Sequence, residues 1–238
     1  MTYPVGWQQS GKAVQPHNEL PPEEEDWHRF RQLRQLGSHW ERPGWTEGRR
    51  SYHWLLTFEH ASGLQGLAAR AQEPFGGLPE FDLVPLDALH LTIQRVAFTD
   101  ELPLSRLPAV TAIVRQRCQD VAPFRLHVGW LAGSSGAIRF TALPVAHVLA
   151  VRAMVTMQTT TTNPRRDAPF CMPETFWPHI SIAYSNTTQP AAPIVTHIEV
   201  LRHLPPAEVP VTNIALVELR REGRAYRWRV LERVELGR

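Results

Sequence analysis

The chain has 238 residues, of which 43% are hydrophobic, and its formal net charge is only +2. This length allows one large domain or two small lobes with a sizeable core, and the small charge argues against a protein that coats nucleic acid through overall basicity. The two cysteines, Cys118 and Cys171, are too few for a disulfide framework or a cysteine-rich zinc site. Lys12 is the only lysine, which excludes kinases and ligases that depend on an interior lysine.

The predicted elements mix helices and strands along the chain. Residues 1–20 are predicted to be irregular. A helix is predicted over 21–37, because prolines open it, acidic residues fill its first turn and Gly37 ends it. Further helices are predicted within 62–77 and over 103–121, 144–158 and 190–204, and loops over 38–50 and 159–175. Strands are predicted over 51–59, within 81–98, as a hairpin over 123–143, over 176–185 and as a closing hairpin within 209–236. Because hairpins pair antiparallel strands, this pattern favours an α+β fold.

The sequence contains no segment with the character of a signal peptide or a membrane span. The first twenty residues contain no long apolar run, and no stretch approaches the roughly 18 apolar residues that a spanning helix needs. We therefore expect a soluble, cytoplasmic protein with no membrane partner, and we expect it to be a monomer.

Two strand-like segments carry the same short motif. The first is His90-Leu91-Thr92-Ile93 and the second is His179-Ile180-Ser181-Ile182, so each reads histidine, apolar, hydroxyl, apolar. Because side chains alternate along a strand, the histidine and hydroxyl are expected on one face and the apolar pair on the other, with Tyr184 on the apolar side. A single motif is compatible with a solvent-facing strand, whereas chance rarely produces two copies in strands.

The residue types of the motifs suit chemistry at phosphorus. Displacement at a phosphoryl group places the attacking and leaving oxygens roughly in line, so a base is needed on one side and an acid on the other. Imidazole does either task near neutral pH, which makes His90 and His179 the catalytic candidates. The hydroxyls of Thr92 and Ser181 are the phosphate-binding candidates, because they can donate hydrogen bonds to the non-bridging oxygens, where charge accumulates.

These paired motifs, 89 positions apart, resemble those of the 2H phosphoesterase superfamily, and specifically its 2'-5' RNA ligase-like members. The resemblance covers roughly residues 50–235. It implies a bilobal α+β fold in which two antiparallel sheets with flanking helices surround a central cleft, related by a pseudo-two-fold axis. We accordingly divide the chain into an N-terminal extension with one helix, residues 1–49, and a bilobal domain, residues 50–238.

The resemblance also implies an activity. Its members are metal-independent phosphodiesterases that act on 2',3'-cyclic phosphates or 2'-5' linkages, and some relatives catalyse the reverse joining reaction without ATP. The implied mechanism uses one histidine as general base and the other as general acid, with no cofactor and no metal. The implied partner is an RNA end or a small nucleotide. Which histidine is the base stays open at this point.

Four further residues are candidates for substrate binding. Some relatives carry a basic residue three positions after the second motif's hydroxyl, where this chain has Tyr184. Arg165 and Arg166 precede the second motif; we favour a solvated loop there over capture of an anionic substrate. Trp45 and Trp40 flank the sequence ERPG, and we favour structural packing for them over stacking on a base.

Two other functions stay open. One is a nucleotide- or RNA-binding module whose histidines only hold phosphate, and the other is an enzyme of specialised metabolism that acts on a small phosphoester. Turnover of a cyclic mononucleotide would separate a phosphodiesterase from a binding module. A comparison of cyclic mononucleotides, 2'-5' dinucleotides and longer RNA would separate it from a specialised enzyme.

Overall fold

The structure is a computed structural model that describes residues 20–162 and 176–237. Its helices are α1 (Pro22–Phe30), α2 (Ser62–Gln72), α3 (Leu107–Cys118), α4 (Val145–Thr162) and α5 (Ala192–Leu201). Its strands are β1 (Gln35–Leu36), β2 (Arg50–Thr57), β3 (Phe81–Leu83), β4 (His90–Phe98), β5 (Phe124–Ser134), β6 (Ala137–Leu143), β7 (His179–Ser185), β8 (Gln189–Pro190), β9 (Ala207–Val211), β10 (Asn213–Glu222) and β11 (Ala225–Glu235).

Two antiparallel sheets form the two lobes. One has four strands in the order β11-β10-β2-β4, and the other has five in the order β3-β7-β6-β5-β9. Helices α3 and α4 contact each other and the four-stranded sheet, whereas α1 and α5 contact β5 of the five-stranded sheet. The predicted α+β class, with two antiparallel sheets and flanking helices, is confirmed.

The chain alternates between the lobes, and this alternation brings the two motif strands together. Strand β4 lies at one edge of the four-stranded sheet and β7 lies next to the short β3 in the five-stranded sheet. Their Cα atoms approach within 8 Å of each other, so the central cleft forms where the two sheets meet. Each lobe therefore contributes one motif to the same region, in keeping with the pseudo-two-fold relation.

Both motif strands contain a bulge immediately after the hydroxyl residue. In β4, Leu55 pairs with Thr92 and Trp54 with Gln94, which leaves Ile93 as the additional residue. In β7 the pairing skips Ile182 in the same way. Because an additional residue reverses the alternation of side chains, the residue three positions after each hydroxyl returns to the hydroxyl's face.

The bulges correct one expectation about the second motif. Regular alternation placed Tyr184 on the face opposite His179 and Ser181, but in the structure all three side chains line the same cavity. The corresponding residue of the first motif is Arg95, which lines that cavity as well.

The first predicted helix is shorter than expected. Helix α1 ends at Phe30 rather than at Gly37, and Gln35–Leu36 instead form β1, which pairs with β8. Leu36 is fully buried in this strand, as Phe30 is in the helix, so both apolar residues reach the core by different geometries. The helical pattern of apolar residues in the sequence extends beyond Phe30, but the pairing of β1 with β8 ends the helix there.

The remaining predicted elements agree with the structure apart from their ends. Both predicted hairpins are present, as β5–β6 and β10–β11. Helix α4 extends to Thr162, into the predicted loop, and residues 163–175 of that loop lie outside the described residues. Among the described residues, no helix has the length and apolar character needed to cross a membrane.

The hydrophobic core explains how the first described residues attach to the lobes. Trp27, Phe30 and Leu36 belong to the same buried cluster as the strands of both sheets. A second, smaller cluster of Leu55, Ala215, Val217 and Leu219 lies apart from it, with Trp45, Tyr226 and Trp228 packed against it. The division of the chain at residue 49 stays a prediction.

Candidate active site

A cavity of about 550 Å³ lies where the motif strands meet. His90 and Thr92 line it from β4, and His179 and Ser181 line it from β7. All four side chains are partly buried, so they combine contact with the protein and access to the cavity. The structure therefore brings the two catalytic candidates and the two phosphate-binding candidates to one place.

Both imidazole rings are held in the same way. The Nδ1 atom of His90 lies 2.9 Å from the carbonyl oxygen of Ala88, and that of His179 lies 2.7 Å from the carbonyl oxygen of Trp177. A carbonyl oxygen only accepts, so each Nδ1 carries a hydrogen and donates it. In both rings Nε2 is then the atom that can take up or release a proton.

The local environment lowers the pKa of both catalytic candidates. Burial is the main cause at each ring, and a backbone hydrogen bond opposes it at both, to Ala88 at His90 and to Trp177 at His179. At His179 the positive charge of Arg139 adds to burial and brings the pKa to about 3. The two rings also repel each other electrostatically when charged, as expected for neighbours across a cleft.

Arginines provide the charge of the cavity. Arg42, Arg95 and Arg152 are among the residues that line it, and none of the described lining residues is an aspartate or glutamate. Such a cavity favours an anionic ligand, because the described residues that line it include positively charged side chains and no acidic one.

Arg152 is an unusual cation because it is deeply buried. Its side chain is only 5% exposed, and its Nη1 donates to the carbonyl oxygen of Ile93, the bulge residue of β4, across 2.5 Å. The guanidinium also lies over the ring of Phe176, 4.1 Å from the ring centroid, as in a cation–π contact. The Nε atom has no hydrogen-bond partner among the described residues. Burial lowers the pKa of the Arg152 guanidinium. A buried charge of this kind is costly unless an anion compensates it.

Tyr184 and Tyr226 form an aromatic part of the cavity wall, and Trp228 packs beside His90. The ring of Tyr226 lies 5.6 Å from that of Tyr184 and 6.5 Å from that of His90, and Trp228 lies 5.1 Å from His90. Burial raises the pKa of Tyr184, and its hydrogen bond with Ser181 opposes the rise. The Tyr184 hydroxyl is therefore protonated at neutral pH and available as a hydrogen-bond donor.

The other predicted substrate-binding residues have different outcomes. Trp45 packs on Phe98 and Tyr226, as the structural reading predicted. It also lines the cavity, so its ring is placed where a substrate would contact it. Arg165 and Arg166 lie outside the described residues.

Sequence reasoning missed ten of the sixteen described lining residues, including Arg95, Arg152, His39 and Arg42. Arg95 depends on a bulge, Arg152 is the single arginine of a largely apolar helix, and His39 and Arg42 belong to a predicted loop. The spacing of the motifs carries a signal for Arg95, because it follows Thr92 at the same distance as Tyr184 follows Ser181. The other three carry no local signal.

No group of three or more histidine, cysteine, aspartate or glutamate side chains within residues 20–162 and 176–237 could hold a metal ion. The groups that the cavity does contain are histidines, hydroxyls, arginines and aromatic rings.

A protein-family model for the 2'-5' RNA ligase superfamily matches residues 60–223, which include both motifs. The chain belongs to this superfamily. It is accordingly a member of the 2H phosphoesterases, the group that the paired motifs indicated. Membership supports a phosphoesterase enzyme, with activity of the phosphodiesterase or ligase type. No curated protein matches the chain.

Solved structures show the same fold as this superfamily member. TT0787 of Thermus thermophilus is 22% identical, with a TM-score of 0.57, and the match covers 79% of this chain and 97% of that one. E. coli LigT complexed with phosphate is 14% identical, with a TM-score of 0.57, over 80% of this chain and 99% of that one. E. coli LigT complexed with 3'-AMP is 15% identical, with a TM-score of 0.59, and the match covers 80% of this chain and 99% of that one. At these identities the likeness concerns the fold, and it confirms the bilobal architecture.

Proposed function

We propose that the protein is a metal-independent phosphodiesterase that hydrolyses 2',3'-cyclic phosphate or 2'-5' phosphodiester bonds in RNA or nucleotides. The observation that carries this proposal is the matched setting of His90 and His179. Each ring donates from Nδ1 to the carbonyl two residues before it, lines the same cavity and has a hydroxyl two residues after it. The Nε2 atoms of the two rings, one from each lobe, could therefore act as base and acid on opposite sides of a phosphate bound between them, as an in-line displacement requires.

The phosphate would be bound by groups from both lobes. Thr92 and Ser181 would donate hydrogen bonds to its non-bridging oxygens, where charge develops in the transition state. Arg95 and Arg152 would supply positive charge, and for Arg152 this anion would compensate a buried guanidinium. Two of the E. coli LigT structures are complexes with phosphate and with 3'-AMP, which supports a small nucleotide as substrate in this fold.

The charge of Arg139 favours His179 as the general base. Because its pKa is about 3, His179 is neutral at physiological pH and can accept a proton at Nε2. In the proposed step, a water oxygen attacks phosphorus while His179 takes its proton. The bond from phosphorus to the leaving ribose oxygen breaks, and protonated His90 gives its Nε2 proton to that oxygen. The products are a phosphomonoester and a free ribose hydroxyl when the substrate is a cyclic phosphate.

A substrate screen tests this function. The purified chain would be incubated with 2',3'-cyclic mononucleotides, 2'-5' dinucleotides and longer RNA with a cyclic phosphate end, with and without excess chelator. We expect turnover of at least one class that survives the chelator and disappears in His179→Ala. Binding of these ligands without turnover would support a nucleotide-binding module instead. Turnover of unrelated small phosphoesters alone would support a specialised enzyme. Activity lost in chelator and restored by one divalent ion would contradict the two-histidine mechanism.

A further inference from the structure

We propose that His39 and Arg42, from the segment that precedes the family match, form a subsite for a second phosphate group of the substrate. This inference rests on the proposed function, since it places the additional phosphate beside the one held between His90 and His179. It assigns a role to residues that the two motifs do not include. The preferred substrate would then be a nucleotide with two phosphate positions, such as an RNA end, rather than a nucleoside with one.

His39 is a buried hydrogen-bond donor that lacks a partner among the residues that the structure describes. Its side chain is only 7% exposed, although it lines the cavity. The Nη2 of Arg42 lies 3.0 Å from its Nδ1, and because a guanidinium only donates, Nδ1 must accept. The hydrogen of the neutral ring is therefore on Nε2, which is buried and has no hydrogen-bond partner among the described residues. A buried N–H of this kind is stabilised by a ligand oxygen.

The ring of His39 stays neutral, so it would act as a donor and not as a third acid or base. Burial is the main cause of a pKa of about 2, and the positive charges of Arg42 and Arg221 add to it. His39 also stacks on Tyr184, with ring centroids 3.9 Å apart and planes at 25°. The stack fixes the plane of the imidazole, so the direction of its Nε2–H is fixed as well.

Arg42 supplies the charge of the subsite. Its Nε donates to the carbonyl oxygen of His39 across 3.2 Å while its Nη2 holds the ring, which orients the guanidinium at the cavity wall. Because none of the described lining residues is acidic, an anion is the ligand that this cation would attract. A planar guanidinium beside an N–H donor suits a phosphate, whose oxygens accept from several donors at once.

The location is compatible with a second phosphate of one nucleotide chain. The ring of Tyr226 lies 5.7 Å from that of His39 and 6.5 Å from that of His90. A single aromatic ring thus separates the proposed subsite from the catalytic histidine, and a ribose between two phosphates could lie against it. The second phosphate could be a 5'-phosphate on the same nucleoside or the next internucleotide phosphodiester.

Binding measurements test the subsite independently of turnover. At fixed ionic strength, the Kd of a nucleoside 3',5'-bisphosphate would be compared with that of the 3'-monophosphate, and with that of a dinucleotide 3'-phosphate. We expect the second phosphate to tighten binding to the wild-type protein by about tenfold to a hundredfold, the usual effect of charge-assisted hydrogen bonds. Whether the bisphosphate or the dinucleotide gains more distinguishes the 5'-phosphate from the internucleotide phosphate.

Two variants and a matched control complete the test. Arg42→Gln removes the charge, and His39→Phe keeps a ring to stack on Tyr184 but removes the donor; each should reduce the gain from the second phosphate to about threefold or less. Arg31→Gln is the control, because Arg31 makes the same contact with His28 Nδ1, three residues earlier, but on the surface of the protein and away from the cavity. It should keep the full gain.

The result that overturns the subsite is a wild-type Kd that does not depend on the second phosphate, or a gain that survives in both variants. Either can occur whether or not the protein turns over cyclic nucleotides. Conversely, absence of turnover with a gain that depends on Arg42 would contradict the proposed hydrolysis and leave the subsite supported. Far-ultraviolet circular dichroism of the variants would identify any loss of binding caused by unfolding.

Discussion

Arg139 donates a hydrogen bond to Asp26 across 2.5 Å, and both side chains are buried. The carboxylate belongs to α1, before the family match, and the guanidinium to β6 in the five-stranded sheet. Thr141 donates to the other carboxylate oxygen across 3.1 Å. Because Thr141 pairs with His179 and Arg139 with Ser181 across β6 and β7, helix α1 is bonded to the strand residues that lie beside the second motif.

The first prediction concerns the stability of this pair. Asp26→Ala leaves the Arg139 cation buried without its partner, which should lower the free energy of unfolding by about 3–5 kcal/mol. Glu25→Ala, one residue away, removes only an exposed contact with Arg29 at 3.9 Å and should cost at most about 0.5 kcal/mol. Urea unfolding measures both. Equal small losses would mean that the buried pair contributes no more than a surface contact.

The second prediction concerns the two hydroxyls. Thr92→Val keeps the shape of the side chain and Ser181→Ala removes little volume, but each removes a hydrogen-bond donor from the cavity. If the hydroxyls stabilise charge that develops on phosphate, each variant should lower kcat by roughly tenfold to a thousandfold with folding intact. Steady-state kinetics on the best substrate of the screen provide the measurement. Unchanged kcat in both variants would leave Thr92 and Ser181 with a purely structural role.

Much of the fold and of the candidate active site follows from local sequence. The alternation around His90 and His179 predicted both motif strands, and turn residues predicted both hairpins, because these signals depend on neighbours in the chain. The repetition of one motif then indicated a shared site. The meeting of β4 and β7 came from the family resemblance, since no local pattern fixes which strands of different sheets approach each other.

The features that the sequence did not predict depend on long-range contacts. The end of α1 at Phe30 requires the pairing of β1 with β8, and the orientation of Tyr184 requires a bulge whose partner strand is β6. His39 and Arg42 enter the cavity from a segment without regular periodicity. In each case the residue type was visible in the sequence, but its position depended on chain segments far away.

The third prediction concerns Arg152, whose substitution should lower activity without a large loss of stability. Arg152→Met keeps much of the length of the side chain and removes a buried charge, so the free energy of unfolding should stay within about 1 kcal/mol or rise. If the guanidinium neutralises a bound phosphate, kcat/KM should fall by about a hundredfold. Arg125→Met, at an exposed ion pair with Glu208, is the matched control and should leave kcat/KM unchanged. A strong loss of stability in Arg152→Met would indicate that this arginine mainly supports the fold.

The fourth prediction is the pH dependence of kcat/KM. The proposed mechanism needs neutral His179 and protonated His90, and both pKa values lie below the ordinary value of about 6.5. The rate should therefore fall as pH rises through the lowered pKa of His90, and it should fall on the acidic side only near pH 3, where His179 becomes protonated. A bound phosphate favours protonated His90, so the alkaline limb of kcat should lie at higher pH than that of kcat/KM.

Removal of the Arg139 charge offers a control for this assignment. The double variant Asp26→Ala/Arg139→Met removes both partners of the buried ion pair, so neither charge is left unpaired. Since Arg139 contributes to the low pKa of His179, the acidic limb should move to higher pH. The apparent pKa values of the two limbs describe the interacting pair of histidines. An alkaline limb of kcat/KM well above pH 6.5 would contradict the assignment of His90 as the acid.

The last prediction concerns the histidine pair itself. His90 and His179 each present Nε2 as the atom that exchanges a proton, so either substitution to alanine should lower kcat by about a hundredfold to ten-thousandfold, the usual effect of a positioned acid or base. The double variant should be little worse than the poorer single variant, because residues that act as a unit are not additive. His127→Ala is a suitable control, since this histidine lies on β5 and does not line the cavity. Near-normal turnover in His90→Ala would contradict the mechanism, because a single imidazole would then do the work assigned to two. Multiplicative losses in the double variant would indicate that the two rings act in separate steps.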